Sequence, residues 1–162
     1  MPLALTMSYA SELYHEPMSD IYAFDLALDL PESTPQDVLT TVRWHLGQEQ
    51  SPDGTSSDDD ELDTFPLWAA RGASHRIGGA LWGSLVQGSR GWSLSVRQEI
   101  HAEDLPDLKS LVERLVHHVT QEGLIGQVRF HENEMPDLLC KRNGALVQFA
   151  LRGWEAEEPL TD

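Results

Sequence analysis

Thiols are almost missing from this chain: Cys140 is the one cysteine among 162 residues. A lone thiol excludes an intramolecular disulfide framework and any clustered-thiolate zinc or iron–sulfur site. It suits a reducing compartment, so the expected location is cytoplasmic. Lysine is nearly as scarce, with two against nine arginines, and together with frequent Ala, Gly and Leu this is the bias of a GC-rich bacterial coding sequence. No compact Lys/Arg run offsets the formal net charge of −16 at pH 7. Phosphate backbones and anionic lipid surfaces are therefore repelled, and neither nucleic acid nor membrane is an expected partner. No stretch approaches the roughly 20 apolar residues of a membrane span. The opening MPLALTMSYASELYHEP has no basic n-region, and its apolar run is broken by Thr6 and Ser8, unlike a secretory signal.

Signatures of catalysis and of cofactor binding are missing too. There is no G-x-S-x-G elbow. Gly78-Gly79 followed by Gly83 lacks both the Lys-Ser/Thr of a phosphate loop and the spacing of a dinucleotide fingerprint. His118 with Glu122, and His131 with Glu134, offer two metal ligands each where zinc needs three or four convergent donors. The run Asp58-Asp59-Asp60-Glu61 with Asp63 has the charge of a calcium loop without its alternating ligands, central Gly or terminal Glu. Cys140 follows Leu138-Leu139 and reads as a small buried hydrophobe; Lys141 and Arg142 would lower its pKa only if the sulfur were exposed. No metal and no cofactor are expected, and enzyme activity is not the favoured reading.

What is present fits a single domain over 1–162, long enough to bury roughly 70% of the surface of its unfolded chain. Residues 1–19 are read as an N-terminal extension. Residues 47–64 hold seven acids and no base, with Gly, Pro and Ser and no apolar periodicity, the pattern of a flexible acidic loop. Residues 152–162 form an acidic tail with four acids and Arg152. These two segments carry −7 and −3, which leaves the remaining chain at −6.

Periodicity supplies the elements. Residues 21–30 alternate, with Tyr22, Phe24, Leu26, Leu28 and Leu30 on one face, as in a half-buried strand. Thr34 as N-cap, Pro35 and Asp37 open a helix whose stripe is Val38, Leu39, Val42 and Leu46, and Gly47 stops it. Residues 65–71 fit a short helix or a strand equally. Residues 80–87 and 92–101 read as strands joined by a four-residue turn at 88–91, with Trp82 and Trp92 facing each other and Trp92, Leu94, Val96 and Ile100 turned inward. Leu108, Leu111, Val112, Leu115, Val116 and Val119 mark a helix over 106–122 capped by Gly123. A strand over 125–131, a short helix over 136–142, an Asn143-Gly144 turn and a last strand over 145–151 complete the chain. The expected fold is α+β, a ferredoxin-like split β-α-β sandwich (β-α-β-β-α-β) with an additional C-terminal short helix and strand.

In that order the strand starting at Ile21 lies between the strands starting at Trp92 and Ile125. The face away from the helices then gathers Asp25, Asp29, Ser93, Ser95, Arg97, Glu99, His101, Gln127, Arg129 and His131. Arg97 and Arg129 are candidates to hold a small anionic ligand through bidentate hydrogen bonds, with Asp25 and Glu99 beside them and His101 or His131 as proton carrier. The plainer alternative is a solvated face. Three functions compete on these grounds: a non-catalytic binding or assembly module that forms a homodimer through a sheet face or edge; a small-molecule enzyme or ligand carrier using the Arg/His face; and an adaptor that docks a basic partner through the acidic loop.

Overall fold

A computed structural model describes residues 20–48 and 65–151. The strands are β1 (Ile21–Pro31), β2 (Gly72–Ala73), β3 (Ala80–Gly88), β4 (Gly91–His101), β5 (Gly123–Phe130), β6 (Asp137–Arg142) and β7 (Ala145–Ala150). Among the described residues two α-helices accompany them, α1 (Gln36–His45) and α2 (Leu105–Val116). All pairings are antiparallel, and the order across the sheet is β2-β3-β4-β1-β5-β6-β7. The sheet curls into a half-barrel.

This is not the expected ferredoxin-like sandwich. β1 does lie between β4 and β5, but the sheet continues past β5 into β6 and β7 and is strand-rich with few helices. The decisive difference is residues 136–142, expected as a short helix and found as β6. Leu138, Leu139 and Cys140 form an apolar run too short for periodicity to separate helix from strand. The adjoining turn settles it: Asn143 and Gly144 both have positive φ, 50° and 78°, the geometry of a two-residue hairpin. Six consecutive pairs then lock β6 to β7.

The first helix begins and ends close to where its signals stand. Asp37 lies in its first turn, and Arg43 and His45 in its last. Gly47, at φ 76°, donates to Trp44 O while Gln48 donates to Arg43 O, which closes the helix with a left-handed cap. The N-cap is Pro35, without a side-chain cap bond. Thr34, the expected N-cap, instead donates its hydroxyl to Pro31 O at 2.6 Å.

The second helix stops at Val116, six residues before the expected end. β1 outruns its partner here, because β5 pairs only with Tyr22 to Leu26. Thr120 donates its amide to Asp29 O, and the Gln121 side chain accepts from Asp29 N and donates to Ala27 O. Leaving the helix frees residues 120–121 to satisfy that strand edge. Gly123, expected as a cap, opens β5 at φ 95°. The hairpin between β3 and β4 turns through two residues, Ser89 and Arg90, and Trp82 lies across from Arg97, with Gln87 opposite Trp92. The two tryptophans do not meet.

The core lies between the sheet and the helices, with Phe24, Leu26, Leu28, Leu30, Leu94, Val96 and Ile100 of β1 and β4 against Leu39 and Val42 of α1 and Leu108, Leu111, Val112 and Leu115 of α2. Residues 65–71 are neither helix nor strand, and their backbone is satisfied by side chains. Gln98, fully buried on the core face of β4, accepts from Ala70 N and donates to Ala70 O and Trp82 O. His45 Nδ1 accepts from Leu67 N. Arg71 donates to Leu46 O, Trp68 O, Ala70 O and Gly83 O. This frame holds Trp68 stacked on Phe24, with centroids 6.2 Å apart. Replacing Gln98 by Leu removes three part-buried hydrogen bonds to the backbone of Ala70 and Trp82. We expect a loss of about 3 kcal/mol in urea unfolding, with the first effect seen as faster amide exchange at Ala70, whose N–H donates to Gln98.

Candidate functional site

The face of β4, β1 and β5 turned away from the core carries the residues singled out from sequence, and the register arranges them in three rows. Asp25 lies between Arg97 and Gln127, Ala23 between Glu99 and Arg129, and Ile21 opposite His101 with its carbonyl accepting from His131 N. The face therefore assembles, but its charges already have partners. Arg97 Nη1 donates to both Asp25 oxygens at 3.2 Å, and Nη2 donates to Gly78 O at 3.0 Å. Gln127 adds a bond to Asp25 Oδ2 at 3.4 Å. The Glu99 carboxylate accepts from the amides of His75 and Arg76. Arg129 Nη1 donates to His131 O at 3.0 Å and Asn133 O at 2.8 Å.

These bonds tie loops to the sheet. Arg97 and Glu99 hold residues 74–79 against β4, and Arg129 holds the turn after β5. With Arg97 and Asp25 each about one third exposed (27% and 31%), their pair contributes about 0.2 to 1 kcal/mol. His101 is exposed at the end of β4, and the ring of His131 sits 4.7 Å from that of Phe130. Just beyond His101, burial raises the Asp104 carboxyl above its ordinary value, and the charge of His101 opposes that rise. Of the remaining polar residues on this face, Ser93 donates to Asp29 at 2.8 Å.

His117 and His118 lie at a shallow depression of about 260 Å³ between the two helices, with Asp37, Thr41 and Arg114. Among the described residues no three His, Cys, Asp or Glu side chains are grouped to hold a metal ion. Cys140 is buried, as its apolar surroundings imply. The acidic run at 58–63 lies outside the described residues.

A larger concavity is on the other side of the sheet, between α2 and the floor formed by β1, β5, β6 and β7. It has a volume of about 610 Å³, inside the range of small-molecule sites. Its existence follows from dimensions. Among the described residues, seven strands at about 4.8 Å spacing span about 29 Å, whereas two helices with axes 8 to 10 Å apart cover about 20 Å. The sheet accommodates the excess by curling, and the curl encloses space that the side chains of α2 do not fill.

Half-buried Tyr22, Val128, Phe130 and Leu146 rise from the floor, with Leu105 on the α2 side. Polar groups stand at the β6–β7 side, on the helix and at the end of β5: Gln148 donates to Asp137 Oδ2 at 2.7 Å, Lys109 lines the helix wall, and Arg129 and Asn133 also border the cleft. No Ser, Thr, Cys, His or Glu lines this cleft. Asp137 and Gln148 together present an acceptor and a donor to whatever occupies it.

Sequence reasoning missed this site because residues 136–142 were assigned to a helix, which removed half of the floor. A signal was present: Tyr22, Val128 and Phe130 continue the inward alternation of β1 and β5 beyond the reach of two helices. No protein-family model, no curated protein and no solved structure matches this chain. No helix among the described residues is long and apolar enough to cross a membrane.

If Arg97 is a tether, Arg97→Met frees residues 74–79 from the sheet. Tryptic cleavage after Arg76 is then expected to accelerate about tenfold, the factor for losing about 1.4 kcal/mol of local closure. Unchanged cleavage would show that the loop is held without it.

Proposed function

We propose that this chain is a cytoplasmic binding module, without catalysis of its own, that holds one small, largely apolar molecule with an uncharged hydrogen-bonding head in the cleft between α2 and the curled sheet. The observation that carries the reading is the cleft itself: about 610 Å³, floored by half-buried aromatic and aliphatic side chains and edged by the Asp137–Gln148 pair. Such a combination of apolar lining and a few convergent polar groups is the usual form of a small-ligand site. A carboxylate beside an amide suits a head group that both donates and accepts. Lys109 on the facing helix lines the same cleft as Asp137. The lone cysteine supports the cytoplasmic placement.

This reading displaces the anion carrier suggested by Arg97, Arg129, His101 and His131. A guanidinium whose donors already serve Asp25 and the Gly78 carbonyl, or the carbonyls of His131 and Asn133, has to surrender those bonds before it can bind an anion.

The test uses N-phenylnaphthylamine, a neutral apolar fluorophore with one N–H. It is expected to brighten on mixing and to saturate at one equivalent. Leu146→Trp, which fills the cleft from its floor, should weaken that binding at least about tenfold, and Val86→Ser on the opposite sheet face should leave it unchanged. Non-saturating fluorescence, or equal binding by Leu146→Trp, would refute the cleft as the site.

A further inference from the structure

We infer that β7 is the contact through which two copies of this chain join, edge to edge and antiparallel, into one continuous sheet. β7 is the outer strand on its side among the described residues, so one row of its amides and carbonyls has no strand partner there. Proteins guard such an edge with a charge, a proline, a bulge or a very short strand. Ala145-Leu146-Val147-Gln148-Phe149-Ala150 has none of these, and its pairing with β6 is unbroken over six residues. At the opposite edge β2 covers only Ala80 and Leu81 of β3, and the Gln98 and Arg71 side chains take the next two carbonyls, those of Trp82 and Gly83.

Electrostatics favours a second copy at this place. With −16 on each chain, two copies repel over most of their surfaces. The β6–β7 hairpin is an exception: residues 137–150 contain Asp137, Lys141 and Arg142 and so carry +1. Two hairpins of +1 repel each other far less than two average surfaces of a −16 chain, and each attracts the acidic remainder of its partner.

Geometry is compatible with a two-fold axis. In a continuous antiparallel sheet, residues directly opposite share a face, so Val147 meets either Val147 or Phe149 of the second copy. Both pairings join side chains that are half-buried in the single chain. Because Leu146 and Gln148 form the outer wall of the cleft, the second copy extends the cleft floor with its own Leu146 and Gln148. The association goes beyond the binding reading and stands even if the cleft is empty.

Sedimentation equilibrium on the full, ligand-free chain tests the proposal. The apparent mass is expected to rise from 18.1 kDa toward twice that value with concentration, and to rise further at high salt as the like charges are screened. Val147→Lys sets like charges together in either register and should weaken association at least about tenfold, with circular dichroism unchanged. Val86→Lys, on the far strand β3, should have no effect. A monomer at every concentration up to about 0.5 mM, a Kd weaker than any working dimer, would overturn the proposal, as would a dimer that Val86→Lys breaks and Val147→Lys spares. Should Val147→Lys unfold, amide exchange in the unmodified chain decides. Protection of residues 145–150 that grows with concentration supports the edge, and a dimer forming without that protection refutes it.

Discussion

Among the described residues two helices cover a sheet that is wider than they are, and much of the described structure follows from this mismatch. An apolar sheet face left bare to water costs about 25 cal/mol per Å², so the chain needs cover beyond α1 and α2. On the β3–β4 side the cover is an irregular segment, residues 65–71, which inserts Trp68 between Phe24 and His45. On the β6–β7 side the sheet bends around α2 instead. The first solution is filled, and the second leaves a cleft of about 610 Å³.

The filled end shows what an irregular segment requires. A buried loop has no neighbouring strand to satisfy its backbone, so side chains do that work. Gln98, His45 and Arg71 together bind the backbone of Leu67, Trp68 and Ala70 to both α1 and the sheet. Gly83 lets this frame close, because a Cβ there would collide with Leu46 and press on Trp68 O. Such interlocking polar groups are effective only when complete, which makes this end rigid and poorly suited to accept anything else.

The sequence discloses elements better than their assembly. The alternation of β1 and β4, the stripes of both helices and the Gly47 stop are local facts, readable because each repeats over two turns or several strand residues. The neighbours of β1 were also legible. The true extent of the sheet was not, because Leu138-Leu139-Cys140 has no period and its strand character comes from pairing on both sides. The end of α2 at Val116 was hidden for a similar reason: nothing in residues 117–122 announces that Asp29 and Ala27, ninety residues away, need partners. Gln98 could have been noticed. A glutamine among Trp92, Leu94, Val96 and Ile100 on an inward face implies a buried backbone to satisfy. The polar face was located correctly from alternation alone, yet alternation cannot say whether a charge awaits a ligand or already holds a loop.

That last distinction governs how charged side chains in this chain should be read. Arg97, Glu99 and Arg129 converge as a binding site would, but each is directed at a backbone carbonyl or amide of a loop that crosses or leaves the sheet. Loop residues 74–79 contain Gly78 and Gly79 at positive φ, 78° and 72°, a backbone with little cohesion of its own. A charged donor or acceptor forms stronger hydrogen bonds than a neutral one, so a strand rich in such residues can fasten a loop that lacks side-chain packing. The cleft lacks that need. Its floor is regular strand whose backbone, apart from the outer edge of β7, is paired within the sheet. In this molecule the fold has left space in the apolar hollow, whereas Arg97, Glu99 and Arg129 on the polar face fasten loops to the sheet.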